Sequence, residues 1–303
     1  RKATGTIRSE TMIDFGTIAT AMVTPFDING NIDFAKTTKL VNYLIDNGTT
    51  AIVVGGTTGE SPTLTSEEKV ALYRHVVSVV DKRVPVIAGT GSNNTHASID
   101  LTKKATEVGV DAVMLVAPYY NKPSQEGMYQ HFKAIAESTP LPVMLYNVPG
   151  RSIVQISVDT VVRLSEIENI VAIKDAGGDV LTMTEIIEKT ADDFAVYSGD
   201  DGLTLPAMAV GAKGIVSVAS HVIGNEMQEM ITAFQAGEFK KAQKLHQLLV
   251  RVTDSLFMAP SPTPVKTALQ MVGLDVGSVR LPLLPLTEEE RVTLQSVMQS
   301  IPR

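Results

Sequence analysis

Short apolar runs rich in β-branched residues recur along the chain and predict eight β-strands. The runs are continuously apolar rather than alternating, which is typical of strands whose two faces are both covered. They cover residues 17–23, 51–54, 84–88, 112–116, 142–146, 170–173, 195–197 and 214–218. Several of them stop at Gly, Pro, Asn or Asp, which favour turns. The pattern therefore indicates a parallel sheet.

Amphipathic stretches with a helical period lie between these runs, at residues 33–47, 66–80, 95–108, 125–137 and 180–190. Thr65 with Glu68, and Thr287 with Glu290, have the spacing of a capping box, in which two backbone amides at a helix start are satisfied reciprocally. Strand and helix thus alternate along most of the chain.

Eight β/α units over about 220 residues predict an α/β fold of the (β/α)8 barrel type. A doubly wound sheet is the alternative, but it usually has fewer strands and a phosphate-binding glycine turn after the first. After residue 220 only helical segments follow, at 225–236, 239–258, 264–272 and 288–299. We therefore expect a leader outside the fold at residues 1–11, the barrel at 12–224 and a helical domain at 225–303.

Charge and composition exclude several classes of function. The 303 residues include 26 Lys and Arg against 33 Asp and Glu, so the net charge is −7, which argues against nucleic-acid binding. The absence of cysteine excludes disulfides, thiolate metal sites and a cysteine nucleophile. The five histidines show no ligand spacing, so we expect no metal. No apolar run approaches the ~20 residues of a membrane span, and we expect a cytoplasmic protein.

Lys174 carries the most chemical information, because it ends the sixth apolar run. Period-two alternation predicts Ile170, Ala172 and Lys174 on one face, and the C-terminal ends of barrel strands carry active-site residues. Burial there disfavours the ammonium form, and such a lysine can form a Schiff base with a carbonyl substrate. The alternative is a lysine that reaches solvent from the strand end or pairs with Asp175.

Glycine-rich segments follow the second and third strands. In residues 55–61 (GGTTGES), backbone amides and the hydroxyls of Thr57 and Thr58 could hold a small carboxylate, although an ordinary turn is the alternative. Residues 89–94 have Asn94 where a dinucleotide-binding glycine motif needs its last glycine, so we expect no dinucleotide cofactor.

Tyrosines and one arginine also follow predicted strands. Tyr119 and Tyr120 come after the fourth strand, Tyr146 ends the fifth, and Arg151 lies in the next loop. A phenol can transfer protons and a guanidinium can bind a carboxylate through two hydrogen bonds. Packing of the tyrosines and a loop ion pair for Arg151 are the alternatives.

Four motifs at predicted strand ends, GGTTGES at 55–61, PYYNKP at 118–123, YNVPGR at 146–151 and the strand of Lys174, resemble one family. From Met12 onward the chain is similar to the dihydrodipicolinate synthases, pyruvate-dependent class I aldolases and lyases on the (β/α)8 fold. The resemblance implies a carbon-oxygen lyase with a C-terminal helical part that forms a homotetramer or dimer. It implies no cofactor, because the covalent pyruvate imine on Lys174 supplies the chemistry.

The resemblance also implies catalytic roles. Lys174 matches the family's imine-forming lysine, and Tyr146 its central proton-transfer residue, which hydrogen-bonds to Thr57. Tyr120 matches the family's relay tyrosine, which a neighbouring subunit supplies.

Substrate-binding roles follow in the same way for Thr57 and Thr58, which match the residues that hold the pyruvate carboxylate. Gly199 and Val216 match positions that offer backbone carbonyls, and Arg151 matches the site for the carboxylate of L-aspartate 4-semialdehyde. The implied reaction condenses pyruvate with this aldehyde, feeding lysine and diaminopimelate synthesis. The alternatives are a lyase for sugar acids, of the N-acetylneuraminate or 2-keto-3-deoxy-gluconate type, and a related barrel that has lost catalysis.

Feedback inhibition by lysine, which many family members show, is expected to be weak here. The chain matches only part of the family's lysine-binding set, at Ser61, Asn93 and Tyr119. Ala97 stands where enterobacterial members have a glutamate, and Ser66 and Lys69 stand where they have histidines. A bound lysine ammonium would find no carboxylate at residue 97 to replace its lost hydration.

Overall fold

A computed structural model describes residues 12–302, and the leader predicted at residues 1–11 lies outside this range. Eight parallel strands close into a barrel in chain order, and β1 pairs with β8. The strands are β1 (Ile18–Ala21), β2 (Ala51–Val54), β3 (Val86–Gly89), β4 (Ala112–Val116), β5 (Val143–Asn147), β6 (Ile170–Asp175), β7 (Ala195–Ser198) and β8 (Gly214–Ser217). The predicted (β/α)8 fold is confirmed, and the alternative prediction of an open, doubly wound sheet is wrong.

Helices alternate with the strands around the barrel. They are α1 (Phe34–Asp46), α2 (Ser66–Val80), α3 (Thr95–Glu107), α4 (Gln125–Glu137), α5 (Pro149–Ser152), α6 (Val158–Ser165), α7 (Val180–Lys189) and α8 (Thr204–Ala209). Both predicted capping boxes are formed, at the starts of α2 and of the last helix of the chain. The sequence pattern missed α5, α6 and α8, because helices of four, eight and six residues are shorter than the window in which periodicity becomes visible.

Two apolar cores lie on either side of the sheet. Side chains such as Val53, Met144 and Val216 fill the barrel interior, whereas Ile52 and Leu115 pack between strands and helices. Both faces of each strand are therefore buried, which accounts for the continuously apolar runs in the sequence.

Strand β6 has a bulge near its start, because Val171 has no partner on β5. Ile170 packs with Ile173 in the outer core, whereas Ala172 and Lys174 face the barrel interior. The prediction that Ile170 shares a face with Ala172 and Lys174 is wrong, since the extra residue breaks the period-two alternation.

Four helices follow β8, namely α9 (Ser220–Gln235), α10 (Phe239–Leu256), α11 (Thr263–Met271) and α12 (Glu288–Gln299). Helix α9 follows β8 and packs on β1 and α1, so it completes the ring of helices around the barrel. Helix α10 packs along α9. The domain boundary predicted at residue 224 falls inside α9, next to the non-helical residue Ile223. The division into a barrel and a C-terminal helical domain stays a prediction. Among residues 12–302, no helix is long and apolar enough to cross a membrane.

Candidate active site at the mouth of the barrel

Lys174 and Tyr146 lie side by side where β5 and β6 end. They are register partners across the two parallel strands, so both side chains point into the barrel at the same level. The ammonium nitrogen of Lys174 lies 4.0 Å from the centroid of the Tyr146 ring. Both residues are buried, with 6% and 5% of their surfaces exposed. A nucleophilic amine and a phenol are thus held together at the end of the barrel where active sites form.

Lys174 is not paired with Asp175, so this alternative from the sequence is wrong. The Asp175 carboxylate instead accepts hydrogen bonds from the side-chain amide of Asn147 at 3.2 Å and from the backbone amide of Gly177 at 3.0 Å. Burial raises the pKa of Asp175, against the effect of these two hydrogen bonds. The carboxylate ties the end of β6 to the end of β5, and no carboxylate of residues 12–302 forms an ion pair with the amine of Lys174.

The loop after β2 carries Thr57 and Thr58 to the same cavity. Gly55 has φ of +67°, which favours glycine, and it allows the sharp turn away from the strand. The backbone amide of Glu60 donates to the carbonyl of Thr57 at 3.0 Å, so the loop closes on itself. Thr58 is buried and Thr57 is half-buried.

Most of the predicted site residues line one cavity of about 480 Å³, here called the lysine cavity. Lys174, Tyr146, Thr57, Thr58, Arg151, Gly199 and Val216 all contribute to its wall. Gly199 lies directly against the lysine, because a Cβ atom there would be 3.1 Å from Lys174 Cε. Sequence reasoning missed two further residues that line the cavity. They are Thr253 on α10 and Phe257, the residue that follows this helix.

A neighbouring cavity of about 380 Å³, here called the side cavity, shares Thr57, Tyr146 and Arg151 with the lysine cavity. Arg151 is exposed, and no carboxylate of residues 12–302 pairs with it, so the loop ion pair considered from the sequence is not formed within that range. Its guanidinium is free to bind an anion that enters the mouth of the barrel. Ser61, Lys69 and Tyr119 also line the side cavity.

Tyr120 is the one predicted site residue that the chain does not bring to its own cavity. It is 86% exposed, has φ of +75°, and lines neither the lysine cavity nor the side cavity. The expected hydrogen bond between Tyr146 and Thr57 is also not formed, and the Tyr146 ring packs against the amine of Lys174.

Asp201 is a buried polar residue of the site that sequence reasoning missed. It follows β7, and its carboxylate accepts hydrogen bonds from the Ser217 hydroxyl at 2.5 Å and from the amides of Val218 and Ala219 at 2.9 Å. Burial raises its pKa. The residue therefore joins the end of β7 to the end of β8, and the pair Asp200-Asp201 after an apolar run was the available signal.

Metal ligands are not grouped anywhere in residues 12–302, where no three His, Asp or Glu side chains converge. His221 is fully buried, with Nε2 accepting from the Val23 amide at 3.2 Å and Nδ1 at 2.8 Å from the carbonyl of Val218. These two contacts join the segments that follow β1 and β8, and burial lowers the pKa of His221 to about 4.

Comparison with known proteins agrees with this geometry. A protein from Bacillus velezensis named 4-hydroxy-tetrahydrodipicolinate synthase is 62% identical over 95% of this chain and 100% of its own length. The dihydrodipicolinate synthase of Cyanidioschyzon merolae, solved with lysine bound, superposes with a TM-score of 0.92 at 44% identity, covering 94% of this chain and 97% of its own. A chloride-inhibited enzyme of that name from Acinetobacter baumannii, complexed with pyruvate, has a TM-score of 0.91 at 44% identity, over 94% and 98%. Residues 14–301 match the model of the dihydrodipicolinate synthetase family, and the chain belongs to this family.

Proposed function

We propose that the protein is a 4-hydroxy-tetrahydrodipicolinate synthase that condenses pyruvate with L-aspartate 4-semialdehyde for lysine and diaminopimelate synthesis. The observation that carries this proposal is the buried Lys174, which lies against Tyr146 and shares its cavity with Thr57 and Thr58. A relative of that name matches 95% of this chain over the whole of its own length. A cytoplasmic location is part of the same proposal.

The first half of the reaction takes place on Lys174. Its neutral amine attacks the ketone carbon of pyruvate, and loss of water gives an imine. The cationic imine withdraws electrons from the adjacent methyl group, so a proton leaves that group and an enamine forms. The hydroxyls of Thr57 and Thr58, with nearby backbone amides, hold the pyruvate carboxylate, and Tyr146 carries protons to and from the intermediates.

The second half joins the aldehyde substrate. The enamine carbon attacks the aldehyde carbon of the semialdehyde, and the resulting alkoxide takes a proton. The amino group of the semialdehyde then attacks the imine carbon, which closes the ring and releases Lys174. Arg151 binds the carboxylate of this substrate at the mouth, and the carbonyls of Gly199 and Val216 line the cavity on the other side. The imine is the only electron sink that these steps need, so we propose that no cofactor takes part.

Trapping the imine tests the proposal. Borohydride added with pyruvate reduces a Schiff base to a stable amine, and we expect mass spectrometry to find one adduct, on Lys174. Lys174→Ala should give no adduct, whereas Lys213→Ala, which removes an exposed lysine, serves as the matched control. An adduct on another lysine, or none, would refute the assignment of Lys174. Trapping without turnover of the semialdehyde, but with cleavage of sugar acids, would favour the sugar-acid lyase. Dialysis against EDTA should leave turnover unchanged.

Tyr120 supports an assembly of identical subunits, since a large aromatic side chain at the barrel mouth is 86% exposed. We propose a homotetramer or dimer in which Tyr120 reaches the lysine cavity of a neighbour as a proton relay. Light scattering at working concentration should show an oligomer, and Tyr120→Phe should lower turnover while the mass stays unchanged. Fully active monomers would remove this role.

A further inference from the structure

The loop that carries Thr57 and Thr58 is anchored from behind by a buried ion pair. Glu60 ends this loop with φ of +59° and is 3% exposed, yet it lines neither the lysine cavity nor the side cavity. Its carboxylate Oε2 lies 2.8 Å from Nζ of Lys266 on α11, and both side chains are 2% exposed. The carboxylate thus points away from the substrate and into the C-terminal helices.

Every polar atom of this pair has a defined partner. Oε1 of Glu60 accepts from the backbone amide of Arg280 at 2.9 Å, and Nζ of Lys266 also donates to the carbonyl of Ser278 at 2.7 Å. Nζ of Lys266 further lies 4.2 Å from the centroid of the Phe26 ring. The side chain of Glu60 is therefore fixed from two segments that follow the barrel in sequence.

The anchor is coupled to the substrate loop through three hydrogen bonds. The Glu60 amide donates to the carbonyl of Thr57 at 3.0 Å, and the Ser61 amide donates to the carbonyl of Gly56 at 3.3 Å. The hydroxyl of Thr24 holds the carbonyl of Gly59 at 2.7 Å. A displacement of Glu60 would consequently move Thr57 and Thr58.

Stability alone is a weak reason for such a pair, because two well-packed apolar side chains at a buried site are often as stable or more stable. A charged pair does fix distance and direction, which apolar packing does not. We infer that Glu60 and Lys266 are positioning residues through which the C-terminal helices hold Thr57 and Thr58 in place for the pyruvate carboxylate. This inference rests on the proposed function for the identity of the ligand.

The test replaces Lys266 with methionine, which keeps most of the length of the side chain and removes its charge. We expect Lys266→Met to raise the KM for pyruvate by about tenfold, because small misplacements of binding groups are costly. The KM for the semialdehyde should stay within about twofold of wild type, since Arg151 is untouched. The matched control is Lys36→Met, which breaks the half-exposed pair of Lys36 with Asp275 and leaves Glu60 alone.

A second measurement needs no substrate. Hydrogen exchange of the amides in residues 55–61 should be about tenfold faster or more in Lys266→Met than in wild type or Lys36→Met. The double variant Glu60→Gln/Lys266→Met leaves no unpaired buried charge, so it should recover stability without recovering the KM for pyruvate. Unchanged exchange in the loop, or a KM for pyruvate that follows stability alone, would overturn the inference. If the wild-type enzyme neither bound nor turned over pyruvate, the proposed function would be overturned instead. The hydrogen-exchange data would still show whether Lys266 anchors the loop.

Discussion

Gly199 gives a direct test of how closely the site is built around Lys174. A Cβ atom on residue 199 would lie 3.1 Å from Lys174 Cε and 2.8 Å from Ala176 Cβ. Non-bonded carbon atoms prefer about 3.5–4.0 Å. The backbone has little freedom to yield, because the Gly199 amide donates to the Asp175 carbonyl at 2.7 Å and the Ala176 amide to the Asn147 carbonyl at 2.8 Å. The contact with Ala176 Cβ must therefore be relieved by a small shift of one of these turns, and the contact with Lys174 Cε by movement of the flexible lysine side chain.

The displacement can be converted into an expected rate. Lys174 Cε has to retreat by at least about 0.4 Å to restore an ordinary carbon contact. Misplacing a reacting group by ~1 Å can lower a rate about 10²-fold, so we expect Gly199→Ala to slow imine formation by roughly 10- to 100-fold. Overpacking should also lower the free energy of unfolding, by about 1–3 kcal/mol.

The assay is the rate at which pyruvate forms a borohydride-trappable adduct in a rapid-mixing experiment. Gly150→Ala is the matched control, because a Cβ atom there has no neighbour within 4 Å and residue 150 does not require a left-handed backbone. Both variants should fold, as judged by circular dichroism. A folded Gly199→Ala enzyme that forms the adduct at the wild-type rate would refute the argument that this turn must be free of side chains.

The remaining predictions concern four other residues. Tyr146→Phe should keep the pyruvate adduct but slow turnover ~10²-fold or more, and equal losses in adduct formation and turnover would contradict a proton-transfer role. Arg151→Lys should raise the KM for the semialdehyde and not for pyruvate, because a point charge does not reproduce a two-point contact with a carboxylate; an unchanged KM for the aldehyde would exclude this. Lysine should inhibit weakly, since the exposed Ala97 offers no carboxylate, and initial rates showing half-inhibition near ~1 mM or below would disprove it. Burial lowers the pKa of His221 to about 4, so its contribution to stability is complete above ~6.5 and is lost as the pH falls toward 4, by about 2 kcal/mol at about pH 5. Urea titrations should therefore show that the difference in unfolding free energy between wild type and His221→Gln shrinks by about 2 kcal/mol between about pH 7 and about pH 5. A constant difference would count against a neutral buried histidine.

Local patterns predicted much of this structure, and the reason is physical. Both faces of every strand are buried, so each strand corresponds to a continuous apolar run in the sequence. The two capping boxes are visible as Thr and Glu three residues apart at the helix starts. Lys174 and Tyr146 stood out because each ends such a run. The bulge at Val171 left no comparable signal, since one extra apolar residue in an apolar strand does not change the composition. For Gly199 and Val216, only the resemblance to a family suggested a role.

Long-range contacts explain what the pattern could not show. Glu60 and Lys266 are 206 residues apart, and each alone is an ordinary charged residue in a helix or a turn. Nothing in the period of α10 indicates that the helix brings Thr253 to the barrel mouth. Such pairings depend on how the C-terminal helices close over the strand ends, which only the assembled fold determines.

The C-terminal helices contribute to the active site in two ways. Phe257, just beyond α10, forms a wall of the cavity that contains Lys174, and Lys266 on α11 holds the loop of Thr57 and Thr58. A barrel usually builds its active site from the loops after its own strands, and those loops can vary while the scaffold stays rigid. Here one such loop is fixed by side chains that lie outside the barrel. The geometry at the mouth therefore depends on the packing of helices that make no contribution to the sheet, and substitutions in α10 and α11 should affect pyruvate binding before they affect the barrel.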